Sequence, residues 1–253
     1  MKKPLVIQIT DLHITELTGE LVKKIIREEV TPYAQKHKID TIIISGDVFT
    51  SREKQSMYVL ECFDEILDEL ESFQIYAIPG NHDKVDLDSE KSWLDRFRRK
   101  NFEVIRKFNR HRIGEIYFFF LPFFKDEKYL SLIRELNVDN NEKNVLITHI
   151  GIDNYKCNSG VKISSNITPA EFNKFDLTLT GHYHDASEQF YIGSLYQANF
   201  GEDDNKGFTV IYDDLSCEQI QTTFPKYLKF NIDIDNEPEL LLELEEVLAD
   251  STD

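Results

Sequence analysis

The chain has 253 residues, 41% of them hydrophobic, with 46 acidic against 29 basic side chains and a formal charge of −17. That length supports one large domain with a proper core, and no apolar run approaches the ~20 residues of a membrane helix. Three scattered cysteines (Cys62, Cys157, Cys217) form no C-x-x-C and cannot all pair within one chain, which fits a reducing compartment and argues against a thiolate metal site. The first residues, MKKPLVIQIT, have too brief an apolar run for a signal peptide, so a cytoplasmic or nucleoid-associated protein with no membrane partner is expected.

The acidic charge argues at first against a polyanionic partner, but it is unevenly spread. Residues 231–253 hold nine acids and no base, leaving 37 acids against 29 bases elsewhere. Arg96–Arg112 instead carries eight Lys or Arg and one Glu, readable as a solvated helix face or as a phosphate-contacting patch through Arg98, Arg99, Arg106 and Lys107.

In chain order, short β-branched or aromatic runs at 5–9, 41–45 and 75–79 alternate with amphipathic stretches at Leu17–Lys38, interrupted near Pro32, and Glu53–Phe73. This predicts a βαβαβ start with parallel strands. Helices are expected at Ser89–Lys100, Asp126–Leu136 and Thr168–Lys174, the last with Thr168 and Glu171 forming a capping box. Buried strands are expected at 116–121, 144–148 and 177–180. Beyond Asp185 the texture predicts antiparallel strands at QFYIG, GFTVIYD and LKFNIDI, with turns at 203–206 and 213–215 and an acidic helix at Glu237–Leu248.

The strand ends carry the chemistry. They run into Asp11-Leu-His13, Gly46-Asp47, Gly80-Asn81-His82-Asp83, His149 and Gly181-His182-Tyr-His184, so five of seven histidines directly follow a strand. The loops leaving the carboxyl ends of parallel strands gather on one rim, where ligands bind. Two Asp, one Asn and four or five His are too many ligands for one ion but suit two cations sharing a carboxylate, a chemistry fitted to phosphate esters.

The ordered set D-x-H, G-D, G-N-H-D, lone His and G-H-x-H over residues 5–184 resembles the calcineurin-like metallophosphoesterase superfamily. The resemblance implies an α/β fold, a four-layer α-β-β-α sandwich of two packed mixed sheets with helices outside. It implies that Asp11, His13 and His184 hold one metal, that Asn81, His149 and His182 hold the second, and that Asp47 bridges them. By the same resemblance His82 faces the scissile phosphate as general acid or charge stabiliser. Asp83 is either a turn carboxylate or a group supporting the ligands.

Three further stretches, GDVF at 46–49, LPFF at 121–124 and YIGSLYQANFGEDDNKGFTVIYD at 191–213, look like the branch containing the nuclease subunit of the SbcCD complex and its eukaryotic, archaeal and phage counterparts. That narrower resemblance implies a DNA exonuclease and endonuclease of break repair or recombination. It implies two Mn²⁺ ions (with Mg²⁺, Fe²⁺ or Zn²⁺ as alternatives), a coiled-coil ATPase partner of the SbcC type, and a homodimer formed through helices near 54–100. Leu195 departs from the branch's usual proline. The nuclease domain is expected to span 1–235, with 236–253 an acidic tail. The alternatives are a phosphodiesterase or phosphatase for nucleotides or other small substrates, sharing every ligand, and the same fold used only as a scaffold.

Overall fold

The computed structural model describes residues 2–153, 165–187 and 189–227. Cys157, the expected strand LKFNIDI, the boundary at 235 and the acidic segment Glu237–Leu248 lie outside them.

Strand β1 (Pro4–Ile9) leads into a helical stretch made of α1 (Gly19–Ile25), a π-helical turn (Ile26–Val30) and α2 (Thr31–His37), followed by β2 (Thr41–Ile44), α3 (Met57–Glu69) and β3 (Gln74–Ala77). The interruption expected near Pro32 takes the form of this π turn, which accommodates a residue with no N–H and a bulky ring while the helix continues. Ser56 starts α3 by accepting from the Val59 N–H, and Val59, Phe63, Ile66 and Leu67 form its buried stripe.

The helix expected at Ser89–Lys100 is only a 3₁₀ turn at Trp93–Arg96, because the Trp93 N–H donates to the Asp83 carbonyl rather than to a helix. Two short strands, β4 (Phe102–Val104) and β5 (Asn109–Ile113), follow where none was expected, then β6 (Ile116–Leu121), α4 (Asp126–Glu135), β7 (Lys143–His149), a 3₁₀ turn (Pro169–Phe172), β8 (Leu177–Gly181), β9 (Gly207–Tyr212) and β10 (Cys217–Gln221). The capping box expected at Thr168 does not form: Thr168 makes no side-chain cap, and Glu171 pairs with Arg134 instead. QFYIG contributes a single bridge, Tyr191 to Thr180, rather than a strand.

The strands make two mixed sheets, β10-β9-β1-β2-β3-β4 and β5-β6-β7-β8. β1 through β4 run parallel, as do β6 through β8, while β9, β10 and β5 are antiparallel to their neighbours. Alternation along each strand builds the layers. Ile42 and Ile44 face the cluster under α1–α3, whereas Ile43 joins Val6, Ile78, Phe118, Phe120 and Ile147 between the sheets. Phe119 and Leu121 face the cluster under α4 with Tyr129 and Ile133. The result is the expected four-layer α-β-β-α sandwich. Among the described residues no helix is long and apolar enough to cross a membrane.

Candidate metal centre

The loops leaving β1, β2, β3, β7 and β8 meet on one rim. Their backbones are stitched together: the N–H groups of Asp11, His13 and Ile14 donate to the carbonyls of Gly46, Asp47 and Val48 at 3.0, 3.0 and 2.9 Å. Asp11, His13, Asp47 and His182 all have positive φ, an unfavourable conformation for such residues that the surrounding bonds must enforce. Gly46 also has positive φ, and a Cβ there would strike the His149 ring, so only glycine lets β2 and β7 meet.

Two groups of side chains gather within 4.8 Å, Asp11 with His13 and His184, and Asp47 with His149 and His182. Asn81 joins the second, its Oδ1 2.8 Å from His182 Nδ1. Asp47 stands between them, with Oδ2 3.2 Å from His149 Nε2 and 3.8 Å from His13 Nε2. The seven residues expected at the rim therefore lie together, with Asp47 within 3.8 Å of both His13 and His149.

Two of the imidazoles are aimed by a partner on the far side. His149 Nδ1 donates to the Ser45 carbonyl at 2.7 Å, leaving Nε2 free to face the centre. His184 Nδ1 donates to Glu202 Oε1 at 2.7 Å, with the same effect. Glu202 is fully engaged, accepting also from Asn199 Nδ2, the Ala198 N–H and Lys206 Nζ. Lys206 in turn donates to the His184 carbonyl and Asp185 at 2.7 Å each. Asp11 accepts from the His182 N–H. On the opposite flank, fully buried Lys84 donates to the Phe123 carbonyl, the Phe123 N–H donates to Pro79 O at 3.1 Å, and the Phe123 ring lies beside His182.

Glu202, Lys206 and Lys84 are not among the residues expected from the sequence. Glu202 and Lys206 fall in the F-G-E and K-G-F elements of the segment 191–213, which carried the likeness to the nuclease branch but gave neither residue a role.

The electrostatics suit cations. Burial pushes the Asp47 carboxyl up, but His149, His13 and His82 outweigh it and hold Asp47 far below the usual range. Burial would lower His149, yet the charge of Asp47 raises it instead. His182 is pulled down to about 4, first by burial and then by its neighbour His149. His149 Nε2 is buried and makes no hydrogen bond, although Asp47 Oδ2 lies 3.2 Å away. An unsatisfied imidazole nitrogen among oxygen and nitrogen donors fits a divalent metal ion.

His82 sits at the edge of this cluster, its ring 5.1 Å from that of His13. Its N–H donates to Asp47 Oδ1 at 2.8 Å and its Nδ1 to the Thr50 carbonyl at 2.6 Å, which directs Nε2 outward. Asp83 lies beneath, accepting from the N–H groups of Phe49 and Gly80 at 3.1 and 2.9 Å and so joining the loops after β2 and β3. Burial and then Asp47 raise its carboxyl to about 7.

The basic cluster is divided. Arg99 is paired with Asp64 and Asp68 beside the amino end of β4, and Arg106 with Asp95, whereas Arg98 and Lys107 are exposed and in no ion pair among the described residues.

The chain is similar to known proteins. Residues 4–186 match the family model for calcineurin-like phosphoesterases. The SbcD component of nuclease SbcCD from Staphylococcus epidermidis (strain ATCC 12228 / FDA PCI 1200) is 26% identical over 245 residues, covering 81% of this chain and 65% of that protein. The chain thus spans just under two thirds of that relative's length. Similar solved structures include purple acid phosphatase PPD1 from yellow lupin (14% identical, TM-score 0.45, covering 73% of this chain and 38% of that one). Another is nuclease MPE of Pseudomonas putida (12% identical, TM-score 0.35, covering 63% and 67%). With the ordered ligand loops in place and more than half of its length matched, the chain belongs to the calcineurin-like phosphoesterase family.

Proposed function

We propose that this protein is a divalent-metal-dependent DNA nuclease, hydrolysing phosphodiester bonds at duplex ends and within single strands, with manganese as the working ion. The observation that carries the hydrolytic part is Asp47, set between two donor groups and accepting the backbone N–H of His82. In this reading Asp11, His13 and His184 hold one cation, Asn81, His149 and His182 the other, and Asp47 both. A bound cation pair would supply an acidified water and neutralise phosphoryl charge. The chain's own residues do the rest. Asp47 fixes the spacing of the two groups, and Glu202 and Ser45 hold His184 and His149 with Nε2 facing inward. His82, oriented by Thr50, meets the leaving oxygen and protonates it.

DNA as substrate is supported by the relative in Staphylococcus epidermidis, a nuclease by name and one component of a complex. The same likeness supports an ATPase partner of the SbcC type and a role in repair. Phosphate contact from the basic cluster is assigned to Arg98 and Lys107, which have no carboxylate partner among the described residues. Pairing of two copies through 54–100 rests on the sequence resemblance alone. The competing reading, a phosphatase or phosphodiesterase for small substrates, is favoured by the charge of −17, which repels a polyanion.

Labelled duplex and single-stranded DNA incubated with manganese separate the two. The nuclease reading expects both to be degraded, and His82→Asn to lower kcat by about 10²–10⁴-fold while metal content stays the same. Intact DNA alongside rapid hydrolysis of a small phosphodiester would hand the assignment to the competing reading.

A further inference from the structure

A cavity of about 380 Å³ lies between the loop leaving His82 and the 3₁₀ turn at Trp93–Arg96. Val85, Ser89, Lys91, Trp93 and Arg96 are among its lining residues. Its volume falls within the roughly 300–1,000 Å³ of small-molecule sites, and its mostly apolar wall with a few charged groups matches their usual make-up.

The cavity is joined rigidly to the centre through Trp93. The Trp93 N–H donates to the Asp83 carbonyl at 2.9 Å, and the indole Nε1–H donates to the Arg52 carbonyl at 2.8 Å. One tryptophan therefore grips both the loop that carries His82 and the loop that carries Asp47. Val85 is three residues past His82, so its Cα lies within roughly 11 Å of that of His82, and its side chain is exposed at the mouth.

The charge at this spot is suited to an anion. Arg99, Arg106 and Arg112 are each held by carboxylates. Arg96 and Lys91 line the cavity and take part in no ion pair among the described residues. The Asp86 carboxylate in the wall already accepts the Asp88 N–H. An aromatic wall with unpaired cations at its edge is complementary to a flat heteroaromatic ring bearing a phosphate.

We infer that this cavity receives the nucleobase next to the scissile phosphate, with Trp93 and Val85 covering the ring and Arg96 and Lys91 meeting the adjoining phosphate. The inference rests on the phosphodiesterase reading of the centre and narrows its substrate to nucleotides, whether free or within a strand.

Trp93 is the chain's one tryptophan, so its fluorescence reports on the cavity directly. In magnesium-loaded His82→Asn protein, thymidine monophosphate is expected to quench Trp93 saturably, whereas deoxyribose 5-phosphate leaves the emission unmoved. An oligonucleotide that quenches with higher affinity than the free nucleotide identifies a strand as the source of the base; equal affinity identifies the mononucleotide. In the otherwise unaltered protein, Trp93→Leu is expected to raise KM for a dinucleotide by roughly 5- to 150-fold, the range for losing one stacked base. Because Trp93 also braces two loops, Val85→Glu and Arg96→Gln at the surface provide the same test without that burden, each raising KM with kcat little changed. Equal quenching by the sugar phosphate, no quenching at all, or an unmoved KM in both surface variants would overturn the inference. Saturable quenching with DNA left intact would sink the nuclease reading and keep the cavity's role. DNA cleavage with unresponsive Trp93 would do the reverse.

Discussion

The two donor groups at the rim hold similar ligands in different ways. Around Asp47, His149 and His182 the supports are backbone: the Ser45 carbonyl aims His149, and backbone N–H groups hold Asp47 and Asp83. Around Asp11, His13 and His184 the key support is the Glu202 carboxylate, itself held by Lys206, with Asp185 completing the chain. Backbone supports survive substitution of almost any single side chain. A side-chain relay fails when one member changes, so the His184 group is the one that distant mutations should weaken.

The largest effect expected is the one that ignores this difference. Asp47 touches both groups, so Asp47→Asn should release both cations and cost several kcal/mol of transition-state stabilisation, about 10³-fold or more in kcat. Metal content by mass spectrometry, read with activity, checks it. Retention of either ion at full occupancy would mean that Asp47 is not shared.

Next comes the variant that should separate the groups. Glu202→Gln keeps the side chain's shape but leaves His184 without its charged partner. Loss of such a partner typically costs 10–100-fold in metal affinity. Manganese titration followed by electron paramagnetic resonance should then show one class of site weakened by that factor and the other unchanged. Equal weakening of both would show that the two positions are mechanically one.

The same contrast explains what could be read from the chain. The His149 group and the strand ends were legible because each ligand follows a contiguous apolar run, and a run's end is a local property. The role of Glu202 was not legible: followed by Asp203 and Asp204 in an acidic chain, it looks like a solvated turn, and its contacts with Lys206 and with His184, eighteen residues away, form only in the fold. Strand β5, NRHRI, was hidden for a related reason. An edge strand carries charges that discourage further pairing, which erases the alternation used to find strands. The overlong helix at 89–100 failed because its amphipathic pattern was overridden by two bonds from Trp93 to other loops.

The smallest effect tests whether the His182 flank has a side-chain support as well. Lys84 is buried under the Phe124 ring and donates to the Phe123 carbonyl, holding Phe123 beside His182. Burial, and then the nearby charge of Lys128, lower its pKa to about 8 from 10.5. Between those two values the unfolded chain carries a proton that the folded protein lacks, so unfolding free energy should rise as pH climbs from about 8 to 10.5. The penalty for the buried charge is felt in full below 8, and the neutral amine can still donate to Phe123. Urea denaturation of the metal-free protein across that window, set against Lys84→Met, isolates this contribution, whose upper bound is about 3 kcal/mol. If the variant shows the same pH slope as the parent, Lys84 does not carry a buried charge. If the slope disappears while manganese affinity at the His149 group holds, the backbone alone positions that flank. A parallel fall in affinity would instead give each cation position its own buried lysine, Lys206 for one and Lys84 for the other.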